Sequence, residues 1–380
     1  MRNHQVRKAL ASVFAMSLSA NSVGAQALQQ NAPAAKPETA AAALPETPEA
    51  FGVVLREWVQ KHNLKKATVT VRRGGKTVYQ LGIGDDPEKP RLLASLSKAV
   101  TAACVATLIR DRKVDFDTPL KIALPAALKS LPADYDKRLD YITVAELITH
   151  RAGLNGNRGN GEASTGKTLR ETLAAEGGGA AARNTQLKKA LGLGAPRKRG
   201  DFLYSNDGYL LLGAIIEEQT GQPYEAACGV RALQPAGAAG VVAPAWGIMG
   251  PYGGWSMNGA NYLAFLDGVS KSDTIIGGAA LAWQRGGAGR LPEPNGSWYG
   301  LGLRTRTASD SYNHWHWGQW KSRYRDKSGQ THAENFNTFA TRAGFADTSW
   351  FVSFEPSLPD EARGKLDPEM WKAFRAVKKW

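Results

Sequence analysis

Cysteine is nearly missing from this chain: Cys104 and Cys228 are the only two in 380 residues. A disulfide-stapled scaffold and a cysteine-based zinc module are thereby excluded. The six histidines are scattered and no H-E-x-x-H run occurs, so no metal site and no cofactor is expected. After the N-terminus no apolar run approaches the roughly 18 residues of a membrane-spanning helix, and no stable membrane anchor is expected. Acidic residues are in deficit, 34 against 48 Lys and Arg, for a formal net charge of +14. That excess is dispersed, apart from Lys188-Lys189 and Arg197-Lys198-Arg199, and no basic-aromatic pattern accompanies it. It reads as a solvated surface, with no nucleic-acid partner.

What is present begins with an export signal. Arg2, Arg7 and Lys8 precede a short apolar stretch over residues 9–18, and Ala25-Gln26-Ala27 is a small-x-small cleavage site. Residues 1–27 are therefore expected to be removed on export to the periplasm or the medium. Residues 28–48 are Ala, Pro, Gln and Glu with few large apolar side chains, the composition of a linker that cannot order itself. From Phe51 onward, Phe51, Val54, Leu55 and Val59 recur at helical spacing. Two strand-like runs, 67–72 and 77–82, follow across a Gly74-Gly75 turn.

Residues 95–110 are helical and apolar nearly all round, the mark of a helix buried at the centre of a large fold. Helical runs at 143–149 and 209–219 come next, and Thr143 with Glu146 forms a capping box for the first. Strand character returns at 299–305, 313–317, 337–342 and 349–354, before a last helix at 368–379. The pattern predicts an α+β fold whose sheet is built from both ends of the chain. Residues 49–112 with 292–380 would form the α/β part, and 113–291 an inserted, mainly helical lobe. Cys104 falls in the apolar helical run, where a buried free thiol is ordinary, and two cysteines alone fix no cross-link.

Three short clusters carry chemistry. Ser95 and Lys98 stand three residues apart and share one helix face. Serine is a nucleophile only when a base takes its proton, and a lysine in an apolar setting at a helix N-terminus can be that base. Taken alone the spacing is commonplace, and a capped helix with a surface lysine is the better explanation of it. Tyr204-Ser205-Asn206 precedes the second helix; a phenol can relay protons and an amide can polarise a carbonyl, although such residues also serve simply as caps. His316-Trp317-Gly318 lies in an aromatic strand, where a glycine lets a substrate approach the backbone and the Gln319 N–H can face an oxyanion together with the Ser95 N–H.

In this order the clusters resemble those of the class C β-lactamase and DD-peptidase superfamily: S-x-x-K, then Y-x-N, then K/H-x-G. Residues 147–154 (LITHRAGL) and 202–221 (FLYSNDGYLLLGAIIEEQTG) are similar to two further family segments, and the likeness extends over residues 50–320. It implies a β-lactamase/transpeptidase-like fold and an acyl-enzyme on Ser95, with Lys98 and Tyr204 sharing the role of base. Asn206, His316 and Gly318 would meet the substrate, Ser95 and Gln319 amides would form the oxyanion hole, and His150 would be structural. The third cluster departs from the Lys-Thr-Gly of lactamases and DD-peptidases: a histidine is ordinarily neutral near pH 7 and Trp317 has no hydroxyl. Capture of a substrate carboxylate is weakened, which favours an ester or amide with an apolar acyl or leaving group. Trp255, Trp298, Trp315, Trp317 and Trp320 are candidates for an aromatic cleft, several of them being core.

The expected partner is thus a small-molecule or peptidoglycan-like substrate. Two rival functions share these residues: a β-lactamase or DD-carboxypeptidase, and a sensing module that acylates slowly without turnover. A phosphate-loop match at residues 161–168 lacks the preceding strand that the motif needs and is set aside. The sequence is silent on oligomeric state.

Overall fold

The computed structural model describes residues 43–131, 133–154, 187, 190–191, 199–271, 273–289, 293, 295–325 and 329–380. The expected signal, the phosphate-loop match and most of the expected linker lie outside them. The chain divides into Met1–Ala43 and a unit spanning Leu44–Trp380, which holds everything described below.

Helix α1 (Glu49–His62) leads into the hairpin β1 (Lys66–Arg73) and β2 (Lys76–Ile83). A two-residue strand β3 (Arg91–Leu92) precedes α2 (Ser97–Arg110). The helical middle contains α3 (Val144–Ile148), α4 (Asn206–Thr220), α5 (Tyr224–Cys228) and α6 (Gly259–Lys271), with two short strands, β4 (Val241–Val242) and β5 (Trp255–Met257), among them. Five strands follow: β6 (Ser297–Gly300), β7 (Leu303–Ala308), β8 (Ser311–Arg325), β9 (Thr331–Ala343) and β10 (Thr348–Glu355); α7 (Leu366–Ala376) ends the chain. The main sheet has seven antiparallel strands in the order β2-β1-β10-β9-β8-β7-β6. First and last strands of the chain are thus neighbours, with Val69 opposite Val352. The expected α+β fold is observed, with an added small sheet of β3, β5 and β4 in the middle region.

The sheet is covered on both faces, so β1 and β10 are buried on both sides, including polar residues such as Thr68, Thr70 and Ser349. One face meets α1 and α7: Phe51 lies 5.6 Å from Trp350 between ring centroids, and Trp58 is 6.4 Å from Phe354. The other meets α2 and α6. Every residue of α2 from Ser97 to Ile109 is buried, which accounts for its lack of a polar face. Where α6 crosses the sheet, Asp267 accepts from Arg342 Nη1 (2.7 Å), Ser349 Oγ (3.0 Å) and Arg72 Nε (3.3 Å), a buried charge offset by paired cations.

Several boundaries differ from the sequence reading. Residues 299–305 are two strands, because Leu301 (φ 42) and Gly302 (φ 75) turn the chain back between β6 and β7. The strands expected at 313–317 and 337–342 are longer, with charged outer arms at residues 321–325 of β8 and 331–334 of β9. These arms project past the core, so no apolar alternation announces them. Ordered chain also starts before Ala50: Leu44 packs on the core, and Glu46 O accepts the Lys378 and Lys379 N–H groups at 2.9 Å.

Candidate active site

Ser95 sits in a single 3-10 turn, Ala94–Leu96, immediately before α2, rather than in the helix proper. The turn is pinned from three sides. Leu93 N–H donates to Trp255 O (2.8 Å), Leu93 O accepts from Thr338 Oγ1 (2.7 Å), and Ser97 Oγ accepts from Trp255 N–H (3.1 Å). Ala94 is held at φ 47, a left-handed conformation that costs a residue with a Cβ roughly 1–2 kcal/mol. Two glycines let the sheet approach this segment backbone to backbone. A Cβ on Gly318 would lie 2.1 Å from Thr338 Oγ1 and 2.3 Å from Leu93 O. One on Gly302 would lie 2.5 Å from the Lys98 carbonyl carbon and oxygen.

Lys98 is fully buried. Its Nζ lies 3.1 Å from Ser95 Oγ, 2.6 Å from Asn206 Oδ1 and 3.1 Å from Tyr252 O, three acceptors for the three N–H groups of an ammonium. It also stands over the Tyr204 ring, 4.8 Å from the centroid. Motifs more than a hundred residues apart are thereby brought around one amine.

The Tyr204-Ser205-Asn206 segment owes its position to α3. Thr143 Oγ1 accepts from Glu146 N–H (3.2 Å) and Glu146 Oε2 accepts from Thr143 N–H (2.9 Å), the expected capping box. At the far end of α3, His150 O accepts from Leu203 N–H (2.8 Å) and His150 Nδ1 accepts from Ser205 N–H (3.1 Å). That bond places the remaining ring proton on Nε2. Burial above all, then Lys98, holds the His150 imidazole well below its ordinary pKa, so it stays neutral. Its ring lies 4.2 Å from that of Tyr204. Ser205 is the N-cap and Asn206 the first residue of α4, one turn earlier than the sequence reading puts the helix.

His316 is buried on β8. Its Nδ1 lies 2.6 Å from Trp317 O, which can only accept, so the proton is on Nδ1; Nε2 then accepts from Tyr299 OH at 3.1 Å. Burial, and next the nearby Lys98, lowers the His316 pKa to about 3. Neutral at any ordinary pH, His316 offers no cation to a carboxylate.

These residues open onto a cavity of about 560 Å³. Ser95, Tyr204, Asn206, His316 and Gln319 all line it, while Gly318 lies beneath them against Leu93 O. The Gln319 side chain is tied back to Leu358 O (2.9 Å). Of the five tryptophans considered from sequence, Trp315, Trp317 and Trp320 line the cavity, whereas Trp255 and Trp298 are core. Sequence reasoning missed Tyr252, which serves Lys98 through a main-chain carbonyl, and Tyr299, whose hydroxyl meets His316 Nε2. It also missed Arg304 and Arg363 at the cavity wall. Arg304 is paired with Glu293 (2.7 Å) and Arg363 with Asp360 (3.0 Å).

The chain belongs to the beta-lactamase family, a family of serine hydrolases: the model described as Beta-lactamase matches residues 41–333. It is 25% identical over 179 residues to a Bacillus subtilis (strain 168) protein bearing the name penicillin-binding protein PbpX. That match takes in 45% of this chain and 39% of the relative, so the chain spans about two fifths of the length of the curated protein it matches. Among solved structures, a D-stereospecific amidohydrolase from Streptomyces sp. superposes with a TM-score of 0.65 at 16% identity, covering 86% of this chain and 98% of that one. The class C beta-lactamase of Rhodobacter sphaeroides gives 0.62 at 16% identity, over 86% and 99%. These likenesses establish the β-lactamase-type fold read from the sequence.

Proposed function

We propose that this protein is an exported serine hydrolase that cleaves an ester or amide bond through an acyl-enzyme on Ser95. The observation that carries the reading is a fully buried amine 3.1 Å from the Ser95 hydroxyl, with Tyr204 and Asn206 at the same amine. Ser95 Oγ adds to the substrate carbonyl as its proton passes to the Lys98–Tyr204 pair. The same pair returns that proton to the leaving oxygen or nitrogen, and a water molecule then repeats the sequence on the acyl-enzyme. The Ser95 and Gln319 amides would meet the oxyanion, with Asn206 and His316 touching the substrate. Export rests on residues 1–27.

The cavity supports an apolar group beside the scissile bond. Its walls are largely aromatic, His316 is neutral, and both arginines already face carboxylates. This weighs against a dedicated β-lactamase or DD-carboxypeptidase, whose substrates present a carboxylate. A slow-acylating sensor would use the same residues and differ only in the lifetime of the adduct.

The test is intact-mass spectrometry after a fluorophosphonate probe, with Ser95→Ala alongside. One adduct on the wild type and none on the variant is expected; an adduct that survives Ser95→Ala refutes the mechanism. Aryl esters, D-aminoacyl amides and a chromogenic cephalosporin then sort the substrate class. An acyl group retained for hours on every substrate would identify a sensor.

A further inference from the structure

Helices α2 and α5 run side by side in a parallel register marked by two side-chain bonds. Thr101 Oγ1 and Tyr224 OH are 2.7 Å apart. Two turns along α2, Thr107 Oγ1 accepts from Arg231 Nε (2.7 Å) and Thr107 O accepts from Arg231 Nη2 (3.2 Å). Residue 231 belongs to a π-helical turn, Gly229–Leu233, that follows α5 directly from Cys228 (φ −73, ψ −31). Residues three and four apart share a helix face. Midway between the two bonded pairs, that face carries Cys104 on α2 and Cys228 on α5.

The only two cysteines of the chain are thus opposed in the core, though 124 positions apart. Both are fully buried and both stand as thiols. The Cys228 thiol is pushed up by burial first, and then by its hydrogen bond with the Cys104 thiol; Tyr224 OH lies beside it as well.

We propose that Cys104 and Cys228 are a disulfide site that, in an oxidising environment, cross-links the helix carrying Lys98 to α5. The electron acceptor is a small or protein disulfide; with oxidised glutathione, the two thiols give up two protons and two electrons. A Cys104–Cys228 bond forms, the glutathione S–S bond breaks, and two molecules of reduced glutathione leave. Because neither sulfur is exposed, the bond closes while the chain folds or opens locally. It encloses a long loop, the case in which a cross-link removes most freedom from the unfolded chain.

The test uses the full chain, reduced and unfolded, then refolded with a mixture of reduced and oxidised glutathione. The fraction with native far-UV circular dichroism is denatured and treated with iodoacetamide. No alkyl adduct, a mass lower by two hydrogens than the dithiothreitol control, and one linked peptide pair are expected. The wild-type oxidised form should melt at least roughly 5 °C above its own reduced form. Since Cys104→Ala opens a cavity, this comparison within one sequence is the decisive one. A parallel sample, never unfolded but held with oxidised glutathione in sub-denaturing urea, reads the bond without refolding. Two alkyl groups, or a glutathione adduct on either cysteine, in the native fraction of both preparations would overturn the proposal.

Discussion

Gly318→Ala should damage the nucleophile more than it damages the fold. The added methyl carbon would sit 2.1 Å from Thr338 Oγ1 and 2.3 Å from Leu93 O, whereas carbon and oxygen rarely approach closer than about 3.3 Å. Roughly 1 Å of separation must therefore open between β8 and the turn that holds Ser95. The Thr338–Leu93 hydrogen bond of 2.7 Å lies in that gap and would break. Overpacking costs about 1–3 kcal/mol and the lost bond about 1, so a destabilisation of about 2–4 kcal/mol is expected in urea unfolding. A 1 Å misplacement of a reacting group costs on the order of a hundredfold in rate, so fluorophosphonate labelling of Ser95 should slow by about that factor. Adding Thr338→Ala removes the hydroxyl but leaves the Leu93 carbonyl, so it should restore part of the stability and little of the labelling. Wild-type labelling in the double variant would show that the main-chain contact does not set the position of Ser95. A single variant that unfolds within about 0.5 kcal/mol of wild type would refute the packing argument as well.

Lys98→Met keeps most of the buried volume but leaves Asn206 Oδ1 and Tyr252 O without their amine; labelling of Ser95 should fall by about 10²–10⁴-fold, measured by stopped mass spectrometry. Asp267→Asn removes the charge shared by Arg342 and Arg72 far from the cavity, and should cost about 3–5 kcal/mol in urea while the folded fraction labels at the wild-type rate. Acid should weaken the fold well above the carboxylate range. His150, His314 and His316 all have folded pKa values below their ordinary 6.5, the last two about 3, so between those limits the unfolded chain binds more protons and stability falls as pH falls. Asp367, raised to about 6, acts in the opposite sense; against His314 and His316 it leaves about one proton net near pH 5, or roughly 1.4 kcal/mol per pH unit, and His150 adds to this in the same direction. Urea midpoints at pH 7 and pH 5 check this, His314→Gln should flatten the slope by about 1.4 kcal/mol per pH unit, and equal midpoints would contradict it.

The parts of this site that could be read in advance are those whose chemistry requires a particular side chain at a particular spacing. Ser95 with Lys98, the Tyr204–Asn206 pair and the Thr143–Glu146 cap are of this kind, and the fold brings each where its pattern implies. Tyr252 could not be found that way, because it acts on Lys98 through a carbonyl that any residue possesses. Arg304 and Arg363 are single cations in strand and helix patterns, drawn to the cavity only by the sheet order and the closing segment. The break between β6 and β7 was hidden because Leu301, an apolar β-branch-free residue, takes a left-handed angle normally left to glycine or asparagine. The tryptophans divide between cleft and core by strand register, which composition does not carry.

Ala94 turns these contacts into a sensor of the fold's own integrity. Its left-handed backbone is uphill in isolation and is sustained by the bonds that grip Leu93 on both sides, one from β5 and one from β9. Loosening either grip lets residue 94 relax to a commoner angle and swings the Ser95 hydroxyl out of register with Lys98. On gradual heating, reactivity should then disappear at a lower temperature than helix content. The nucleophile would be extinguished while the chain is still folded, leaving a warmed but intact molecule chemically silent.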